Sequence, residues 1–100
     1  MTLRIKDGEN VRYFVVSSVE ARSKKYSFDA LGKTCHYHQV SILVNNECLW
    51  VESCDIGDIQ TRSQIVALQD SILDALVSRI EDTCILNWHD ILRAAKEENE

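Results

Sequence analysis

Cys35-His36-Tyr37-His38 is the densest run of side chains able to do chemistry in this 100-residue chain, and Cys48 and Cys54 follow it downstream. Thiolate and imidazole are the usual ligands of tetrahedral zinc, so Cys35, His38, Cys48 and Cys54 form the first candidate set. Strand geometry counts against it. If 35–38 is extended, Cys35 and Tyr37 point to one side and His36 and His38 to the other, which separates ligands three apart. In the hairpin register derived below, Cys54 falls opposite Tyr37 and diagonal to Cys35, with no two further ligands beside them. The expectation is free thiols packed as small hydrophobes, with no metal or other cofactor. A zinc-stabilised domain using Cys35, His38 and Cys54 is a second alternative.

Nucleophilic catalysis needs a serine or cysteine within hydrogen-bond reach of a base that a third group orients. Cys35 or Cys54 with His36, His38 or His89 would supply the types, but no spacing selects a combination. There is no Gly-rich phosphate loop and no paired-carboxylate metal motif. A non-enzymatic role follows as the expectation. Arg22, Lys24 and Lys25, with Arg12 and Tyr26, suggest a basic and aromatic strip for single-stranded nucleic acid, where bases stack on rings and phosphates meet cations. The acidic balance of the chain opposes this, so nucleic acid is the alternative partner and not the expected one.

The elements that must position these residues read as follows. Leu3-Arg4-Ile5 and Val11 to Val16 flank Asp7-Gly8-Glu9-Asn10, a hairpin with a short turn. Tyr13 and Val15 alternate with Phe14 and Val16, so both faces of the second segment are apolar, which suits a central strand. Residues 20–34 read as a long connection, partly extended, with Tyr26 and Phe28 turned inward. Val40 to Val44 and Glu47 to Val51 flank Asn45-Asn46, and asparagine tolerates the positive φ of a two-residue turn. That loop pairs 44 with 47, 42 with 49 and 40 with 51. Val40, Ile42, Leu49 and Val51 then face the core, while Leu43, Trp50, Cys48 and Tyr37 form a second, partly apolar face.

The remainder is helical. Thr61 with Gln64 fits a capping box, and Ile65, Leu68, Ile72, Leu76 and Ile80 recur at three and four, the spacing of one stripe, over a helix from about 61 to 82. Asp70, Asp74 and Glu81 lie on the opposite side within about 40° of one another at 100° per residue, and Asp82 adjoins them, which makes an acidic ridge. Asn87 reads as the cap of a last helix over about 88–97, with Trp88, Ile91, Leu92 and Ala95 inward and an acidic end, 97–100, that frays.

Composition sets the class. The chain is 45% hydrophobic and 27% charged, which is a folded composition. Residues 1–50 hold 7 Lys and Arg against 5 Asp and Glu; residues 51–100 hold 4 against 11, so the −5 total divides into +2 and −7. No stretch approaches the roughly 20 apolar residues of a membrane span, and the first residues lack the apolar run of a secretory signal. The expectation is one cytoplasmic domain over 1–100, away from membranes, with reduced thiols. Its fold class is α+β: an antiparallel sheet of three to five strands over residues 2–54, with both helices on one face. The surplus apolar faces predict a homodimer or a stable complex with another protein. The function expected is that of a small accessory or inhibitor protein. It would bind its partner through Asp70, Asp74, Glu81 and Asp82, or through Leu43 and Trp50.

Overall fold

The computed structural model describes residues 2–80 and 85–99, so Glu81, Asp82 and Cys84 lie outside the described residues. Five strands come first: β1 (Thr2–Asp7), β2 (Asn10–Val15), β3 (Val19–Ala30), β4 (Lys33–Val44) and β5 (Glu47–Asp55). They are followed by α1 (Ile59–Val77), β6 (Leu86–Asn87) and α2 (Trp88–Glu98). The class is α+β, as expected. The strands divide between two three-stranded sheets, ordered β2-β1-β6 and β3-β4-β5. All ladders are antiparallel except the short one between β6 and β1.

The first hairpin forms as predicted, with Asp7 opposite Asn10 and Gly8 at φ 63° in the turn. β2, however, is an edge strand and not a central one. Phe14 is buried, while Val11, Tyr13 and Val15 are exposed. The central place belongs to β1, whose Leu3 and Ile5 are almost wholly buried.

Residues 20–34, expected as a connection, belong to a twelve-residue strand hydrogen-bonded to β4 along its whole length, from Val19↔Val44 to Ala30↔Lys33. The turn that joins β3 and β4 is Leu31-Gly32, at φ 51° and 75°. β5 reaches only as far as Tyr37, which pairs with Asp55, so the ribbon beyond it has two strands and projects from the body. The molecule is accordingly elongated, 51 × 28 × 24 Å.

The Asn45-Asn46 turn has the predicted positive φ at both residues, 53° and 67°. Val44 pairs with Glu47 and Leu43 with Cys48, but a bulge then shifts the register, and Ile42 faces Trp50 in place of Leu49. An extra residue on one strand swaps which side chains face inward. Trp50 therefore joins the core and Val51 is exposed, the reverse of the expectation for both. Asn45 also binds the chain between β2 and β3. Its Oδ1 accepts from the Ser17 amide at 2.8 Å and the Ser17 hydroxyl at 2.9 Å, and its Nδ2 donates to the Val15 carbonyl at 2.9 Å.

α1 starts two residues earlier than predicted and ends at Val77, short of the expected 82, because Ser78 caps it and the chain turns over 78–80, so the buried Ile80 lies beyond the helix. Asp58 is its N-cap, accepting from the Thr61 amide at 3.1 Å and the Thr61 hydroxyl at 2.7 Å, so Thr61 supports the cap and is not the cap itself. The helix lies across β3, β4 and β5. Ile65, Leu68, Ile72 and Leu76 interlock there with Val40, Ile42, Val44 and Trp50. α2 is capped by Asn87 as predicted and packs against α1, β1 and β6, burying Trp88, Ile91 and Ala95. Residues 97–99, expected to fray, continue the helix to Glu98, and the Asn99 amide donates to the Ser71 hydroxyl at 3.0 Å.

Candidate functional site

The β4 register decides the fate of the Cys and His residues. Residues 36 and 38 alternate with 35 and 37, so His38 lies on the face covered by α1 while Cys35 and Tyr37 lie on the open face. His38 pairs with Cys54, both buried, because the bulge moves Cys54 one place from its expected position opposite Tyr37. Cys48 is exposed near the other end of the ladder. The four candidate ligands are thus divided between two faces and two ends of the sheet. No group of three or more His, Cys, Asp or Glu able to hold a metal occurs among the described residues.

His38 has a second feature that the spacing did not reveal. Its Nε2 meets the Ser23 hydroxyl across the β3–β4 ladder, and its Nδ1 is buried without a hydrogen-bond partner among the described residues. Burial pushes the imidazole pKa down, and the Arg62 and Lys25 charges push it the same way. A serine and a neutral imidazole in contact are two parts of an activated nucleophile, but no third group among the described residues orients the base. Cys54 is held protonated by burial and by Asp58, against the opposing pull of Arg62. It is a packed thiol and a poor nucleophile.

The open face of the β3–β4–β5 sheet gathers what the sequence left scattered. Even-numbered residues of β3 and odd-numbered residues of β4 point outward together: Lys24 with Gln39, Tyr26 with Tyr37, Phe28 with Cys35. The Tyr37 ring stacks on both Tyr26 and Phe28, with centroids 5.6 and 5.2 Å away and planes within 18° and 3°. Lys24 Nζ lies over the Tyr26 ring, 5.9 Å from its centroid. Stacked aromatics with a cation at one end are attracted through the ring quadrupoles. Tyr26 and Phe28 were expected to turn inward; Tyr26 is half-buried and Phe28 is 47% exposed. Beyond them Leu31 is fully exposed at the turn.

The other predicted site residues distribute unevenly. Arg22 shares this face with Lys24 but is paired with Glu20, and Lys25 points to the opposite face, beside His38. Arg12 sits on the other sheet, 3.0 Å from Glu47 and over the Phe14 ring. The five residues proposed as a nucleic-acid strip therefore do not form one strip. Of the apolar sheet face, Trp50 is in the core and Leu43 is buried, so neither offers a contact surface. Asp70 and Asp74 are exposed on α1, as the ridge required. Phe28, Tyr37 and Leu31 were missed as a group because a residue pair is recognisable only once the β3–β4 register is known.

The fold thus defines a two-sheet α+β protein with a projecting β-ribbon. No family model matches the chain, and neither a curated protein nor a solved structure matches it. No helix among the described residues is long and apolar enough to cross a membrane.

Proposed function

We propose that the chain is a non-enzymatic protein-binding module whose contact element is the β3–β4 ribbon. The observation that carries this is Leu31. A bulky residue at φ 51° is unusual, since left-handed backbone suits Gly, Asn or Asp, and an exposed leucine at a turn gains nothing from burial within its own chain. Strain kept without a local reward points to use elsewhere. Leu31 and Phe28 give the ribbon an apolar end, and the Tyr26, Tyr37 and Phe28 ridge gives it a preorganised flank. Rigid aromatic side chains bind partners at little entropic cost.

Charge specifies the partner's chemistry. Residues 24–37 carry Lys24, Lys25 and Lys33 against Asp29, a balance of +2, while the −5 total leaves −7 for the rest. A protein surface with an apolar centre and carboxylates around it complements the ribbon. Single-stranded nucleic acid fits less well. A base needs a free ring face, and here Tyr37 stacks on both neighbours while Lys24 covers Tyr26. The test is affinity capture with wild type, Phe28→Ser and Leu31→Asp in parallel from the native cytoplasm, followed by reconstitution with the purified candidate. A candidate bound equally by all three proteins would remove the ribbon from the reading.

A further inference from the structure

β3 ends its sheet, so one side of its main chain is open. Ala30 and Lys33 flank the two-residue turn and exchange hydrogen bonds. By alternation from that pair, the even-numbered residues of β3 bond β4, while Ala21, Ser23, Lys25, Ser27 and Asp29 turn their N–H and C=O groups outward. No main-chain bond outside the ladder reaches those five among the described residues. An open edge of this kind is a template for a further strand.

α1 overhangs the same edge. Gln69 binds the Arg22 carbonyl, whereas Arg62, nearer the helix start, lines one trough with His38, the β4 partner of Lys25, so the helix runs opposite to β3. Leu68, on one flank of α1, shares a cavity with Glu52 of β5 and Lys96 of α2. The other flank bounds the trough, which holds about 360 Å³ and is lined by His38, Arg62, Val66, Ala67 and Asp70. The β3 side chains on this face, Ala21, Ser23 and Ser27, are short, and Val66 is left 37% exposed. At the Arg62 end the charge is unmatched: neither Arg62 nor Lys25 has an ion-pair partner among the described residues.

We propose that β3 takes up an extended segment of the partner protein as an added antiparallel strand, with an aspartate or glutamate opposite Lys25 and an apolar residue two places later, opposite Ser23, in the trough. This rests on the reading of the ribbon as the contact element and specifies how a partner engages it. Main-chain bonds to Ser23, Lys25 and Ser27 hold an extended segment of any sequence, and the trough supplies the selection. Residues directly opposite share a face of the sheet, so both side chains lie on the α1 side. The carboxylate there meets Lys25 and Arg62, and the apolar group covers Val66 and Ala67. The residue between them, opposite Lys24, lies on the open face beside Tyr26, where the lysine favours a second carboxylate.

Selection from a displayed library of short random peptides, with the intact chain as bait, tests this. Wild type should enrich an acidic residue followed two places on by an apolar one. Lys25→Glu, at an exposed position, should lose the acidic preference, and Lys25→Glu with Arg62→Glu should exchange it for lysine or arginine. Thermal melts confirm that both variants fold. With an enriched peptide bound, the Ser23, Lys25 and Ser27 amides should exchange about tenfold more slowly or better, while those of Arg22, Lys24 and Tyr26, already bonded to β4, change little. N-methylation of the peptide's apolar residue should abolish binding, and N-methylation of the residue before it should not. No enrichment, or an enriched peptide that leaves the three amides unprotected, overturns the strand addition alone; partner capture that still depends on Phe28 and Leu31 then leaves the ribbon reading standing. Capture indifferent to Phe28, Leu31 and Lys25 alike overturns both. A wild-type mass of twice 11.5 kDa, with the three amides protected in the absence of peptide, overturns the proposal in favour of β3 pairing between copies.

Discussion

Gln69, in the middle of α1, donates through its Nε2 to the main-chain carbonyl of Ser41 at 2.9 Å, and from the same nitrogen to the Arg22 carbonyl at 2.9 Å. Arg22 and Ser41 face each other across the β3–β4 ladder, so one amide clamps the helix over the seam between two strands. The side chain is buried among Leu68 and Ile72 on the helix's inner side. A polar group there is tolerated because both of its protons are placed.

Gln69→Leu should therefore lower stability by about 1–2 kcal/mol, the worth of the lost hydrogen bonds less what the added apolar contact returns. Gln69→Glu should cost more, since it replaces two donors by acceptors facing carbonyl oxygens. Urea unfolding at neutral pH reads both, and a stabilised leucine variant would remove the clamp from the account.

Leu31 makes the opposite prediction. Leu31→Asn places a residue that accepts left-handed backbone at φ 51° and removes an exposed apolar side chain, so it should raise stability by about 0.5–1 kcal/mol. The same change should weaken ribbon-dependent association. A variant more stable in the melt and weaker in binding separates function from folding at this position, whereas a loss of both would mean that leucine is structural.

The fold was legible where burial leaves a period and illegible where it does not. Ile65, Leu68, Ile72 and Leu76 announce α1 because the helix has one covered side, and Asn45-Asn46 announces its turn because few residue pairs accept positive φ at both places. β3 is nearly silent. Approaching and entering the ribbon, its inward positions are Lys25 and Ser27 and its outward ones Tyr26 and Phe28, and neither set is buried enough to impose a recognisable hydrophobic alternation. The bulge beside Leu49 has no signature in residue type, yet it decides that Trp50 is core. Because register sets which side chains share a face, His38–Cys54 and Tyr26–Tyr37–Phe28 emerged only from the ladder. The ridge residues Asp70 and Asp74, by contrast, follow from helical angle alone.

His38 predicts how stability depends on pH. Its folded-state pKa lies below the usual 6.5, so over the interval between those two values the unfolded chain binds more protons than the folded one. This contribution to stability is complete above about pH 6.5, declines as pH falls from there towards the folded value, and is level below it. His38→Gln should flatten that part of the stability profile while keeping a polar group beside Ser23. Chemical denaturation at half-unit steps from pH 7.5 to about pH 5 measures it. An unchanged slope in the variant would mean that His38 titrates as in the unfolded chain.

Cys48 and Cys54 should differ in reactivity. Cys48 is exposed, whereas Cys54 lies beneath α1 with its pKa raised by burial and by Asp58. Alkylation by iodoacetamide at pH 8, followed by peptide mass spectrometry, should modify Cys48 first and Cys54 only at a rate set by opening of the sheet–helix contact. Equal rates would contradict the placement of Cys54 opposite His38.

Trp50 tests the register most directly, because the bulge and the unshifted hairpin assign it to opposite faces. With Ile42 opposite it and 8% of its surface exposed, Trp50 fills space between β5 and α1. Trp50→Ala should cost about 3–5 kcal/mol, the range for truncating a buried aromatic, through lost burial and the cavity left behind. Val51→Ala should cost well under 1 kcal/mol, since Val51 is 46% exposed. In the unshifted register, which buries Val51 and exposes Trp50, the order reverses. The paired measurement is insensitive to overall stability, because both substitutions sit on adjacent residues of one strand and differ only in the face that the bulge gives them.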